Sequence, residues 1–219
     1  MIIAIDGPSA SGKSTLGRML ARALKLLYID TGSMYRAVAL AVIDAEIDPD
    51  DKEAVTALAD EIEIDLRGDP DSLSVLLNGH DVTNQIRTEK VTEMSSVVST
   101  IPGVRRAMVA RQRAIGKRGA VLNGRDIGTV VFPDANVKFF LTAGPKERAE
   151  RRYKEDQITS ASSASYAETL ADMIERDRRD SSRADSPLKV ADDAIVIDST
   201  GKNIDEVFEE MISYVHRNY

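Results

Sequence analysis

Ile2-Ile3-Ala4-Ile5-Asp6-Gly7-Pro8-Ser9-Ala10-Ser11-Gly12-Lys13-Ser14-Thr15 is the stretch whose reading decides the fold. Its first four residues form an apolar run of strand length, short and β-branched enough for a strand buried on both faces. Gly7 to Ser14 then fits the pattern G-x-x-x-x-G-K-[ST], with Thr15 behind it. Each residue type has a physical reason to stand where it does. Glycines let the backbone turn back so that successive amide hydrogens converge on phosphate oxygens. A helix beginning at Lys13 adds the positive end of its dipole. Lys13 supplies a cation for the terminal phosphates, and the Ser14 hydroxyl can ligate Mg²⁺, partly through water. Beyond the loop, Leu16, Met19, Leu20, Ala23 and Leu24 recur at three- and four-residue spacing and form one apolar helix stripe. Strand, glycine loop and amphipathic helix together imply a nucleoside triphosphate site.

Outward from this core the pattern repeats. Leu27-Tyr28-Ile29 reads as a second strand, and Thr31 is placed to cap a helix running through Met34, Val38 and Val42. Further strands are expected at Ala120-Val121-Leu122, Val137 to Leu141 and Ala194 to Ile197. Alternating strands and helices predict an α/β fold, a parallel sheet covered on both faces. Residues 60–83 break the rhythm. Ile62, Ile64 and Leu66 alternate with acids, Leu73, Val75 and Leu77 form a second alternating run, and Asn78-Gly79 suits a two-residue hairpin turn. This predicts a small antiparallel meander inserted in the α/β core, followed by helices over about 88–99 and 102–117, the second opened by Pro102. The tract Thr159-Ser160-Ala161-Ser162-Ser163-Ala164-Ser165 offers no side chain that could anchor in a core and is expected to move as a flap.

Composition excludes whole classes of chemistry. Among 219 residues there is no cysteine, which removes disulfides, thiol nucleophiles and cysteine-ligated zinc. His80 and His216 are the two histidines, too few for a histidine metal cage and unpromising for a Ser-His-Asp triad. No apolar run approaches a membrane span, and the first residues lack the charged flank of a signal peptide, so a cytoplasmic protein without a membrane partner is expected. A net charge of −7 argues against binding a nucleic-acid polymer, and any small-anion site must gather its positive charge locally. Arginines do cluster, at 105–113 (Arg105, Arg106, Arg111, Arg113), at Arg148, Arg151 and Arg152, and at 176–183 (Arg176, Arg178, Arg179, Arg183). No N/T-K-x-D motif reads a guanine base, and the chain is short for a mechanical ATPase. Two phosphate-bearing reactants held between cations, as in a small-molecule kinase, fit these clusters. Kinases that phosphorylate a neutral hydroxyl, such as shikimate or gluconate kinases, have less use for so many arginines. A catalytically silent nucleotide-binding regulator has no use for a transition-state clamp.

The phosphate loop, Asp30-Thr31-Gly32-Ser33-Met34-Tyr35-Arg36, Ile86-Arg87-Thr88, Asn123-Gly124-Arg125-Asp126-Ile127-Gly128-Thr129-Val130-Val131-Phe132-Pro133 and Glu175-Arg176-Asp177-Arg178-Arg179-Asp180 resemble the bacterial cytidylate (CMP) kinase family, from Ile3 to about Asp198. The resemblance implies an adenylate-kinase-like, three-layer P-loop fold. A CORE would span about 1–59, 84–145 and 170–219, a nucleotide-monophosphate-binding insert about 60–83 with flanking helices, and a LID about 146–169. It also implies transfer of the γ-phosphoryl group of ATP, with Mg²⁺, to CMP or dCMP. The ATP site would be Gly7, Pro8, Ser9, Ala10, Ser11, Gly12, Lys13, Ser14 and Thr15. Arg148, Arg151 and Arg152 would close over the triphosphate. Thr31 and Arg36 would face the acceptor's sugar and phosphate, and Arg105, Arg125 and Arg183 would grip its phosphate. Ser96, Arg176 and Asp180 would read its base, and Asp126 would also bind CMP. Lys13, Arg125, Arg151 and Arg183 would be catalytic. Many relatives carry Asp where this chain has Asn123, so a role in holding Mg²⁺ through water is weakened here or passes to Asp126. A monomer needs no further assumption.

Overall fold

The computed structural model describes residues 1–159 and 164–219. In chain order the elements begin β1 (Ile2–Asp6), α1 (Lys13–Leu24), β2 (Leu27–Asp30), α2 (Thr31–Asp44) and α3 (Lys52–Glu61). The strands β3 (Ile64–Arg67), β4 (Ser74–Leu77) and β5 (His80–Asp81) follow, then a short 3₁₀ turn at Gln85–Arg87, α4 (Glu89–Val98) and α5 (Pro102–Gly116). The remainder is β6 (Ala120–Asn123), a π-type turn at Ile127–Val131, β7 (Val137–Thr142), α6 (Pro145–Thr159), α7 (Tyr166–Ser182), β8 (Ile195–Asp198) and α8 (Ile204–Asn218). Two compact units result: Met1–Ile29 with Gly116–Tyr219, and Asp30–Ile115.

The first unit is organised by a five-stranded sheet in the order β2-β6-β1-β7-β8. The β6–β1, β1–β7 and β7–β8 pairs are parallel, as the alternation of strands and helices predicts. Ile3, Ala4 and Ile5 lie fully buried at its centre, so β1 delivers Asp6 and Gly7 to the carboxyl ends of the strands, where ligands of such sheets bind. Leu16, Leu20 and Ala21 are the buried apolar positions of α1, while Met19 and Leu24 of the expected stripe are half-buried and Ala23 is exposed. Gly17 allows the Tyr28 ring to approach, since a Cβ there would sit 2.9 Å from Tyr28 Cε2.

In the second unit α2 packs on α4, and α3 and β4 complete the layer. Met34, Ala37, Val38, Val55, Val91, Val98, Val104 and Met108 form its interior. The predicted meander is present as an antiparallel sheet in the order β3-β4-β5. Ile64, Leu66, Val75 and Leu77 face inward while Asp65 and Arg67 face water. Asn78 (φ 50°) and Gly79 (φ 81°) make the hairpin turn with both central residues left-handed.

One local expectation is corrected. Thr31 does not cap α2: it is the first helical residue, and Asp30 holds the extended cap position with its carboxylate turned to Arg36 at 3.3 Å rather than to a helix amide. α6 runs to Thr159, and Ser165 caps α7 in a capping box with Glu168. Residues 160–163, the middle of the expected flap, lie outside the described residues.

Candidate active site

The phosphate loop obtains its shape from three unusual backbone positions: Gly7 (φ 145°), Ala10 (φ 56°) and Gly12 (φ 95°). Gly7 is irreplaceable on space alone, because a Cβ would sit 2.0 Å from the Leu141 carbonyl oxygen of β7. α1 starts at Lys13 without a side-chain cap, leaving its first amides pointing toward the loop. Lys13 is buried and donates to the Pro8 carbonyl and to Ser11 Oγ. Burial, and next the Arg125 charge, lower its pKa well below the usual lysine value, with Arg176 contributing in the same sense. An arriving polyanion would restore the charged form.

Asp6, which the sequence analysis did not single out, supports the far side of the loop. Its carboxylate accepts from the Ile127 amide at 2.9 Å and the Gly128 amide at 2.8 Å, fixing the π-type turn that follows Gly124-Arg125-Asp126. Burial raises its pKa to about 6, against the two amides, and Asp126 pushes the same way. Asn123, at the end of β6, donates from Nδ2 to Ser14 Oγ at 3.1 Å. Ser14 itself is exposed at the loop's end. Its hydroxyl beside a neutral amide suits a Mg²⁺ held mainly by phosphate oxygens and water. Among the described residues no cluster of three carboxylates or histidines could cage a metal alone.

The arginines of this unit converge. Arg125 Nε donates to Asp180 Oδ2 at 2.8 Å, and Arg183 Nη1 lies 3.8 Å from Asp180 Oδ1. Asp180 is 6% exposed. Burial pushes its carboxyl upward, but the Arg125 charge and hydrogen bond, with Arg176 and Arg183, hold the pKa below the usual carboxylate value. Since Arg125 and Arg176 also act on Lys13, the cations lie within electrostatic reach of the loop.

Arg151 and Arg152 are engaged elsewhere. Arg151 binds Ser199 Oγ at 2.9 Å, the Ser199 carbonyl and Glu147, while Arg152 turns along its own helix to Asp156 at 3.0 Å. Arg148 reaches the loop itself, donating to the Ser9 carbonyl at 3.0 Å.

In the second unit, Arg36 pairs with Asp30, and Thr31 and Ser96 are buried. Arg105, 2% exposed, donates to the Ser99 carbonyl and lies 5.6 Å from the Tyr35 ring centroid. This guanidinium is buried against an aromatic face rather than solvated at the surface.

The sequence model of the cytidylate kinase family matches residues 3–217. This chain belongs to the cytidylate kinase family. A cytidylate kinase of Halalkalibacterium halodurans is 47% identical over 98% of this chain and 97% of its own. One from Solibacter usitatus is 49% identical over 98% of this chain and 92% of its own. Among solved structures, an uncharacterized protein from Eubacterium ventriosum shares the fold, with a TM-score of 0.54 at 13% identity, covering 99% of this chain and 98% of that one. Among the described residues no helix is long and apolar enough to cross a membrane.

Proposed function

We propose that this protein transfers the γ-phosphoryl group of ATP to CMP or dCMP, giving ADP and the pyrimidine nucleoside diphosphate. The observation that carries the reading is the grouping of Arg125 and Arg183 on buried Asp180, with Arg125 and Arg176 close enough to act on both Asp180 and Lys13. An acidic chain that concentrates guanidinium groups beside a phosphate loop is built for two anions at once.

The chemistry asks little else of the protein. The acceptor phosphate has its second pKa near ~6 and is largely dianionic at neutral pH, so no general base is needed. Gly7 to Thr15 hold the donor phosphates, and Lys13 neutralises charge on the group in transfer. Mg²⁺, when bound with ATP beside Ser14, supplies further charge neutralisation across the donor phosphates. Arg105, Arg125 and Arg183 hold the acceptor phosphate, where planar forks serve better than lysine. Thr31 and Arg36 face the sugar and phosphate of the acceptor, and Asp126 adds a contact to CMP. Arg176 supplies hydrogen bonds to N3 and O2 of cytosine, Asp180 accepts from its N4 amino group, and Ser96 adds a contact. Arg151 and Arg152 would have to leave Ser199 and Asp156 to close over the triphosphate, as part of a LID at about 146–169. Residues 60–83 with flanking helices act as the monophosphate-binding insert on a CORE of 1–59, 84–145 and 170–219. The working form is a cytoplasmic monomer.

A coupled ADP-release assay with ATP, Mg²⁺ and CMP, dCMP, UMP, AMP or shikimate tests this. Turnover with the cytosine nucleotides well above the others is expected. Equal turnover with AMP, or preference for shikimate, would overturn the assignment.

A further inference from the structure

Both backbone groups of Ser9, in the middle of the phosphate loop, are held by one ion pair from outside it. The Ser9 amide donates to Asp177 Oδ1 at 3.3 Å. The Ser9 carbonyl accepts from Arg148 Nη1 at 3.0 Å, and the same nitrogen meets Asp177 Oδ2 at 2.6 Å. Arg148 is 7% exposed, and its Nε donates to the Ala143 carbonyl at 2.9 Å, so the guanidinium cannot swing freely. The next loop residue, Ala10, has φ 56°, a left-handed conformation that a non-glycine residue keeps only when its surroundings over-determine it. The peptide plane on each side of Ser9 is therefore set by the Arg148–Asp177 pair, and the second of those planes leads directly into the strained residue.

We propose that Arg148 and Asp177 are positioning residues for the donor site. Together they pre-form the phosphate-binding shape of the loop and dock it on α7, the helix that also carries Arg176 and Asp180. Neither role is that of a residue closing over the triphosphate. Arg148 acts from beneath the loop, and Asp177, a carboxylate close to where phosphates must come, is kept tolerable by its bonded guanidinium. Pre-forming the loop removes an ordering cost from ATP binding without touching the acceptor. The inference rests on the proposed function only in taking ATP as the ligand of the loop.

The test is equilibrium titration of ATP onto the whole chain without acceptor, paired with the KM for CMP at saturating ATP and a thermal melt. Asp177→Ala should weaken ATP binding at least tenfold while the KM for CMP stays within threefold. Asp177→Asn, which keeps an acceptor for the Ser9 amide but turns an NH2 donor toward Arg148 in place of the accepting oxygen, should also weaken ATP binding, by threefold or more. If Asp177→Ala fails to fold, the Asn variant carries the test, with ATP affinity reduced threefold or more and an unchanged KM for CMP. ATP affinity within twofold of the parent in the folded variants would overturn the proposal. So would equal loss of ATP and CMP affinity, the mark of a merely structural role. Should the parent phosphorylate no CMP, the functional reading falls while the ATP titration still decides this one.

Discussion

Replacing Asp180 by asparagine changes charge and hydrogen-bond polarity while keeping shape, so its effects on specificity and stability can be worked out separately. Toward the substrate, a carboxylate accepts from the cytosine amino group and repels the O4 of uracil, whereas an amide can donate to that oxygen. A good bidentate contact is worth about 1–3 kcal/mol of discrimination, so the CMP/UMP ratio in kcat/KM should fall by roughly 5- to 150-fold. Toward the protein, Asp180 is the anion for Arg125 at 2.8 Å and Arg183 at 3.8 Å, with Arg176 close enough to lower its pKa. Asn Oδ1 can still accept from Arg125 Nε, but the acceptor is then neutral and the ion-pair attraction is lost, about 1 kcal/mol or more of stability. The pH dependence has a definite sign. A carboxyl held below 3.8 in the folded state stabilises the fold above that pH, and its contribution disappears as the pH falls through the folded-state value. The Asn variant should therefore lack part of the parent's acid sensitivity below about pH 4. Steady-state kinetics with CMP and UMP at saturating ATP, together with urea melts between pH 3 and 7, read out both effects. A folded variant whose CMP/UMP ratio equals the parent's would refute the reasoning that this carboxylate reads the base.

Three further outcomes are expected. Lys13→Ala should lower kcat by at least a hundredfold with a melting temperature equal to or above the parent's, because burial disfavours the ammonium it removes; turnover within a few-fold of the parent would exclude a catalytic role. Asp6 binds its proton more tightly folded (about 6) than unfolded (3.8), so stability should fall by about 3 kcal/mol as pH rises across that window, and Asp6→Asn should remove this slope; parallel urea midpoints for parent and variant from pH 4 to 7 would contradict it. Asn123→Asp places a carboxylate 3 Å or so from the Ser14 hydroxyl and should lower the Mg²⁺ concentration needed for half-maximal rate several-fold; an unchanged Mg²⁺ requirement would separate position 123 from the metal.

Legibility in the sequence followed the range of the interaction. β1, the phosphate loop and α1 are local patterns, and Asn78-Gly79 encodes its turn in two residues, so the hairpin falls where alternation predicts it. Pro102 likewise opens α5. Partner choice across the chain was not legible. Asp6 serves amides 121 and 122 positions away, and nothing beside it announces a buried acceptor except a charge ending an apolar strand. Arg148, Arg151 and Arg152 look equivalent in sequence and share one face of α6, yet Arg148 contacts the loop while Arg151 goes to Ser199 and Arg152 to Asp156, a choice of partners set across the chain and not by helix position. Local signals were also missed. Asp51 caps α3, and the Ser165–Glu168 capping box stands at the end of a tract whose small residues suggested mobility. At Asp30 and Thr31 the competition was between two good capping residues, and the nearby Arg36 decided which carboxylate or hydroxyl was committed elsewhere.

Arg111 on α5 donates to the carbonyls of Ala59, Asp60 and Ile62 at the end of α3, while Gly103 at the other end of α5 lies so near Thr56 that a Cβ would come within 2.2 Å of its hydroxyl. A beam bolted at two points cannot pivot about either. Arg111 and Gly103 thus tie α5 to α3 at two points, and because β3 begins two residues after Ile62, the entry to the hairpin is anchored to the helix that carries Arg105.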